Sequence, residues 1–200
     1  MTRQQALPLL SLAIVAALLL WAIFIWNPAP SSTTTAATPA GGDFTLHSSA
    51  GPVSLRELRG KVVLLYFGYT SCPDICPTSL TLMSIALSQL SAEESAQVRG
   101  LFISVDPERD TPQRLAQYSS HFHPTISGIT GSPAEVAEVA RRYGAIYQRA
   151  AGETALGYTV DHSSVTYLIN PQGQLTTTLP HGTAPSAILQ QLRQLLRTNP

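Results

Sequence analysis

The chain has 200 residues, 12 Lys+Arg against 12 Asp+Glu, 44% hydrophobic residues and two cysteines. Zero net charge excludes the basic footprint that nucleic acid or an anionic lipid surface demands, and a charged fraction of 12% in so apolar a chain excludes a disordered polyelectrolyte. Two cysteines cannot build a disulfide framework or a four-cysteine zinc site, so they act as one pair or not at all.

The first predicted element is apolar. From Leu7 to Trp26, 18 of 20 residues are apolar or aromatic, the exceptions being Pro8 and Ser11. Twenty helical residues cover about 30 Å, the thickness of a bilayer's hydrocarbon core. A cleaved signal peptide would have a shorter apolar stretch and a small-residue cleavage site, whereas Trp26-Asn27-Pro28 follows here; the reading is an uncleaved transmembrane anchor over 7–26. A lipoprotein would need a cysteine at the end of this stretch, and none occurs before Cys72. Arg3 precedes the span and the next basic residue is Arg56. The positive-inside rule therefore predicts residues 1–6 in the cytoplasm and the remainder outside. That compartment is oxidising, so a cysteine pair in it forms a disulfide unless it is reduced or metallated.

Residues 27–42 contain Pro, Ser, Thr, Ala and Gly after Asn27, with no charge and no apolar period, the composition of a flexible tether. A globular domain is predicted over 43–200. Within it, Lys61 to Phe67 is a run of apolar residues after the lysine, the pattern of a strand buried on both faces. Leu80, Met83, Leu87 and Leu90 follow at helical spacing. Leu101 to Val105 predicts a second strand, closed by Asp106-Pro107. Thr111 and Pro112 suit N-cap and N1 of a helix. Ser132 and Glu135 form a capping box for a helix ending at Tyr143-Gly144. Val165 to Ile169 predicts a further strand, turned at Asn170-Pro171-Gln172-Gly173, and Ile188, Leu189, Leu192, Leu195 and Leu196 mark a last amphipathic helix. Strands alternating with helices predict an α/β sandwich.

Chemistry concentrates at Thr70-Ser71-Cys72-Pro73-Asp74-Ile75-Cys76-Pro77, between the first buried strand and the helix that carries Leu80. Open α/β sheets place ligands at the carboxyl edge of their strands. Pro77 suits N1, which sets Cys76 near the N-cap and Cys72 in the preceding loop. A helix N-terminus favours the thiolate, and four-residue spacing lets both sulfurs converge. Two sulfurs are too few for a closed structural zinc site, so a third ligand must come from elsewhere. His162 immediately precedes the strand at Val165, in a loop that can face the cysteines across the sandwich. Two thiolates and one imidazole suit copper, Cu(I) especially, while zinc also accepts two cysteines, a histidine and water. A structural disulfide between Cys72 and Cys76 is the plain alternative, although so short a loop removes little unfolded-state entropy. His121 and His123 are explained by a helix end, His47 and His181 have no companions, and the charged residues Asp106, Glu108, Arg109 and Asp110 read as a solvated turn before the Thr111 cap.

Three ordered stretches resemble the SCO/SenC family of membrane-anchored copper proteins that assist cytochrome c oxidase assembly. Gly68 to Pro77 matches its C-P-D-x-C-P signature, Ser104 to Pro112 resembles its second, and Asp161-His162-Ser163 with Tyr167 to Gly173 its third. The resemblance implies a thioredoxin-like fold after one transmembrane helix. It also implies copper, as Cu(I) or Cu(II), held by Cys72, Cys76 and His162. Its further implications are a bacterial inner-membrane protein with its domain on the periplasmic side, a copper donor protein, and cytochrome c oxidase subunit II, with its dinuclear copper centre, as acceptor. The competing reading is a thiol-disulfide oxidoreductase that uses the Cys72/Cys76 pair to reduce the acceptor's cysteines. An ordinary thioredoxin-type reductase would show C-x-x-C and a cis-proline before the Val165 strand, where this chain has Ser163-Ser164.

Overall fold

Continuous apolar runs can be satisfied only by strands covered on both faces, and the computed structural model of this chain builds its domain around two of them. It describes residues 14–23, 39–150 and 157–197. The chain divides into two units, Met1–Ala37 and Thr38–Pro200.

In the first unit, residues 14–23 form a helix, α1, with every residue exposed. Ile14, Val15, Leu18, Leu19, Leu20, Trp21 and Ile23 are among its bare apolar side chains. The remainder of the expected span, 7–13 and 24–26, lies outside the described residues. Among the described residues no helix is long and apolar enough to cross a membrane.

In the second unit, a hairpin of β1 (Thr45–Ser48) and β2 (Gly51–Ser54) leads through a short 3-10 turn (Leu55–Leu58) into β3 (Val62–Gly68). Then follow α2 (Ile75–Leu87), α3 (Ala92–Ala96), β4 (Val98–Ser104), α4 (Pro112–Ser120), β5 (Ile126–Ile129) and α5 (Pro133–Tyr143). A second hairpin, β6 (Tyr147–Arg149) and β7 (Val160–His162), precedes β8 (Thr166–Ile169), β9 (Leu175–Leu179) and α6 (Pro185–Arg197). The central sheet has the order β5-β4-β3-β8-β9. β3 lies parallel to β4 and antiparallel to β8, with Phe67 opposite Ile103 and Leu65 opposite Tyr167.

All seven residues of β3 are buried. One face of the sheet presents Tyr66, Gly68 and Phe102, against which Cys76 of α2 and Tyr118 of α4 pack. The other presents Phe67 and Tyr167, both in contact with Tyr143 of α5. The predicted α/β sandwich is thus a sheet between two helical layers. Helix ends follow the expected rules. The Thr111 side chain accepts from the Arg114 N–H, Ser132 and Glu135 complete a capping box, and Gly144 closes α5 at φ 64°, a left-handed conformation that glycine adopts without a Cβ clash.

Three expectations shift. Helix α2 starts at Ile75 after Asp74, not at Pro77, so Cys76 occupies the second helical position and Pro77 the third. A proline is tolerated there because the first four helical N–H groups have no intrahelical acceptor. His162 stands on a strand, β7, paired with Tyr147 of β6, rather than in a loop. Ordered contacts also begin ahead of Asp43: the Gly41 N–H donates to the Arg142 carbonyl at 3.0 Å, and Tyr143 Oη donates to the Gly42 carbonyl at 3.0 Å.

Candidate metal centre

The buried strand β3 ends at Gly68, and the chain turns through residues 69–74 before α2. Asp110 holds that turn. Its carboxylate accepts from the Thr70 N–H at 2.8 Å, the Thr70 hydroxyl at 2.5 Å and the Ser104 hydroxyl at 2.6 Å, and Arg114 lies 3.6 Å away. Asp110 is 1% exposed and Asp106 4%, so these two carboxylates are not solvated as the sequence suggests, while Glu108 is exposed. A buried carboxylate requires donors, and the loop before Cys72 supplies them.

Both cysteines are buried and unbridged. Cys76 Sγ lies 3.2 Å and Cys72 Sγ 3.8 Å from His162 Nε2. The three donor atoms all fall within 4.8 Å of one another, and no other such group of three occurs among the described residues. The expected trio is therefore brought together across 90 residues of sequence. His121 and His123 do not join it. His121 Nδ1 faces the Gln117 carbonyl and His123 Nδ1 the Thr125 hydroxyl, as expected of a helix end. His181, without companions in the sequence, hydrogen-bonds through Nδ1 to the buried Ser79 hydroxyl at 2.9 Å, and His47 pairs with Thr130 by backbone.

The ionisation of the site is asymmetric. The hydrogen bond with the Cys76 side chain pulls the Cys72 thiol down to about 3 against the opposing effect of burial, with help from His162 and from the backbone N–H groups of Cys76 and Asp74. The Cys76 thiol moves up, because it gives its proton to that same bond and because burial disfavours its charge. The thiolate thus sits on the loop cysteine, where it accepts from the Cys76 N–H at 3.4 Å, at the positive end of the helix. Burial works against the imidazolium of His162, but the Cys72 thiolate, the Ser163 carbonyl and the Asp161 carboxylate outweigh it and raise its pKa.

The orientation of the imidazole follows from its other nitrogen. His162 Nδ1 is 3.0 Å from the Ser163 carbonyl oxygen, which can only accept, so Nδ1 carries the proton. In the neutral ring the Nε2 lone pair is then free and aimed at the sulfurs, the arrangement by which an outer hydrogen bond presents a histidine ligand. The rings of Tyr66 and Tyr69 meet it edge-on, with centroids 6.2 and 5.8 Å away. Beside Cys72 a cleft of about 400 Å³, bordered by Tyr69, Ile75, Asp161, His162 and Ser164, opens to solvent.

The donor set fits a soft metal ion. No carboxylate converges with the sulfurs, so magnesium and calcium, which need oxygen ligands, do not suit it. Two thiolates and one imidazole in a low-coordinate, partly open arrangement suit copper, and the open side leaves room for an incoming ligand. Of the residues bordering the site, Gly68 and Tyr69 of the first signature and Arg109 of the second carry no assigned role in the sequence reading, and Tyr158 lies outside all three stretches.

The SCO1/SenC family profile matches residues 32–197. The chain belongs to the SCO1/SenC family. It is 44% identical over 133 residues to the mitochondrial SCO1 homolog 1 of Arabidopsis thaliana, covering 66% of this chain and 40% of that protein. It is 38% identical over 155 residues to a SCO2-like protein of Rickettsia conorii, covering 76% and 75%. Among solved structures, copper-bound Arabidopsis thaliana ScoI superposes with a TM-score of 0.72 at 39% identity, over 78% of this chain and 98% of that one. BsSco, described as carrying a disulfide switch and as a member of a family of cytochrome c oxidase assembly proteins, superposes at 0.63 with 28% identity, over 81% and 96%. The fold is therefore the thioredoxin-like one of this family. The match spans 40% and 52% of the length of the plant and bovine relatives.

Proposed function

We propose that this SCO1/SenC protein is a copper carrier that binds one copper ion as cargo through Cys72, Cys76 and His162 and passes it to the dinuclear copper centre of cytochrome c oxidase subunit II. The convergence of two sulfurs and one imidazole nitrogen within 4.8 Å is the observation that carries this reading. Copper in the related Arabidopsis thaliana structure and the oxidase-assembly description of BsSco support it. A three-donor site with an open side retains its ion, yet an incoming thiolate can displace one ligand at a time.

The protein is anchored in a bacterial inner membrane by residues 7–26, with the domain on the periplasmic side and 27–42 as its tether. The exposed apolar side chains of α1 and the placement of Arg3 ahead of it support that orientation. A copper donor protein loads the site. Tethering donor and acceptor to one membrane raises their effective concentration.

A second activity uses the same sulfurs. The Cys72 thiolate beside a protonated Cys76 is the poise of a dithiol that reduces a disulfide. The acceptor's disulfide takes two electrons, one proton comes from the Cys76 thiol and the second from solvent, and Cys72 and Cys76 become bridged. This reaction does not need His162. Copper titration of the full chain followed by absorption and EPR separates the two. The expected result is one copper per chain and, with Cu(II), a thiolate-to-copper charge-transfer band that Cys72→Ser, Cys76→Ser and His162→Ala each weaken or abolish. A His162→Ala protein with unaltered copper affinity and spectrum, supporting oxidase assembly normally, would overturn the carrier reading in favour of the reductase.

A further inference from the structure

The cysteines stand on the main body of the domain, whereas His162 is delivered by the β6–β7 hairpin, which is not part of the central sheet. Something must fix the hairpin at the spacing the site requires, and the charged turn between β4 and α4 is positioned to do it. Tyr158 precedes β7 by two residues. Its ring lies between two guanidinium groups, that of Arg109 at 3.7 Å and that of Arg149 on β6 at 3.5 Å from the ring centroid. Two like charges across one ring repel, and carboxylates on the turn offset them. Tyr158 Oη donates to Asp106 at 2.6 Å and approaches Glu108 at 3.4 Å. Arg109 Nε donates to Asp106 at 2.5 Å, and Arg109 Nη1 donates to the Tyr158 carbonyl at 2.8 Å. The Arg109 guanidinium also lies 5.5 Å from the centroid of Tyr69, the residue whose hydroxyl accepts the Val160 N–H at 3.2 Å and whose ring meets His162. At its other end the same turn holds the cysteine loop, through Asp110 and Thr70.

We propose that Arg109 and Tyr158, with Asp106 between them, are positioning residues that clamp the histidine hairpin onto the turn that anchors the cysteine loop, and so set the distance from His162 to the two sulfurs. Neither residue touches the metal. The proposal rests on copper binding through Cys72, Cys76 and His162. An arginine suits the task because its planar fork spans the Asp106 carboxylate and the Tyr158 carbonyl at once while one face covers an aromatic ring. A lysine would keep the charge and lose the fork.

The test is a pair of mutant cycles on the full chain. Cu(I) affinity is measured by competition with a chromophoric chelator, for Arg109→Gln and Tyr158→Phe, each in the natural and in the His162→Ala background. Supports of ligating residues typically change metal affinity about 10–100-fold. Arg109→Gln is expected within that range and Tyr158→Phe, which loses only the hydroxyl, near its lower end. In the His162→Ala background neither substitution should weaken binding further, because the clamp acts only through the imidazole. Wild-type affinity in both variants, or the same fold loss in both backgrounds, overturns the proposal, the latter by showing a general structural role. Should Arg109→Gln fail to melt cooperatively, Tyr158→Phe decides alone. Failure of the copper reading itself looks different: the unmodified chain would not bind Cu(I), or His162→Ala by itself would change nothing.

Discussion

A methyl group on Gly68 would stand 2.5 Å from the Cys76 sulfur and 2.8 Å from the Phe102 ring, inside any tolerable nonbonded contact. Phe102 and Cys76 are both fully buried, so neither moves freely, and the sulfur, the nearer of the two, is displaced along with the ring. Overpacking of this kind costs about 1–3 kcal/mol. Gly68→Ala is therefore expected to lower the melting point and to weaken copper binding about tenfold or more, in line with other disturbed ligand supports. Chelator competition and a thermal melt check both, and unchanged affinity would show that Gly68 does not position Cys76. The ionisation asymmetry makes a separate forecast for the metal-free protein. With the Cys72 thiol held well below the ordinary thiol range by its hydrogen bond with Cys76, its thiolate predominates through the neutral range, whereas the raised Cys76 thiol stays protonated. Iodoacetamide should modify Cys72 first, at a rate nearly flat from about pH 5 to about pH 8, where an ordinary thiol would accelerate about tenfold per unit. Peptide mass analysis over that range checks it, and a tenfold rise per unit at Cys72 would refute it. Cys72, Cys76 and His162 were legible in the sequence because each belongs to a short signature. Arg109 lies inside the second signature and reads only as part of a solvated turn, and Tyr158 lies in none; their pairing was not legible, since the bond joins positions 49 residues apart.

Elements were readable in proportion to how local their causes are. The Ser132–Glu135 capping box, the Thr111 cap and Gly144 each act within one turn of helix, and each stands where the pattern put it. Strand β3 was plain because all seven residues are apolar or small and all are buried. The short strands were not. β6 and β7 have three residues each and exist by pairing with one another, and β1 pairs only with β2 in its sheet. Such segments carry too few residues for a two-residue period to emerge. The start of α2 was misplaced by two residues because a proline suits several positions in the first turn, and only the backbone at Asp74 selects among them.

At the scale of the molecule, the chain divides into Met1–Ala37 and Thr38–Pro200, and the proposed anchor lies in the first. All three converging donors lie in the second unit, as does the buried core of the described residues. A protein comprising 38–200 should therefore melt cooperatively and bind copper with the stoichiometry and affinity of the full chain. If the proposed anchor and carrier role hold, it should nevertheless support oxidase assembly poorly at equal expression, since losing a shared tether lowers effective concentration, and tethering raises avidity about 10²–10⁴-fold. Oxidase activity in cells expressing each form, together with copper titration of both, checks the pair of outcomes. Full assembly by the shortened form would show that attachment is dispensable. The sequence by itself determined the apolar segment, the alternation of strands and helices, the neutral surface and the two-cysteine motif, because composition, periodicity and capping act over a few neighbouring residues. Only the tertiary structure decided how close His162 comes to the two sulfurs, that it arrives on a strand of a separate hairpin, and that Asp106 and Asp110 of the charged turn are buried against that hairpin and the cysteine loop. Those outcomes depend on distances and desolvation between segments far apart in the chain, and no local pattern encodes them.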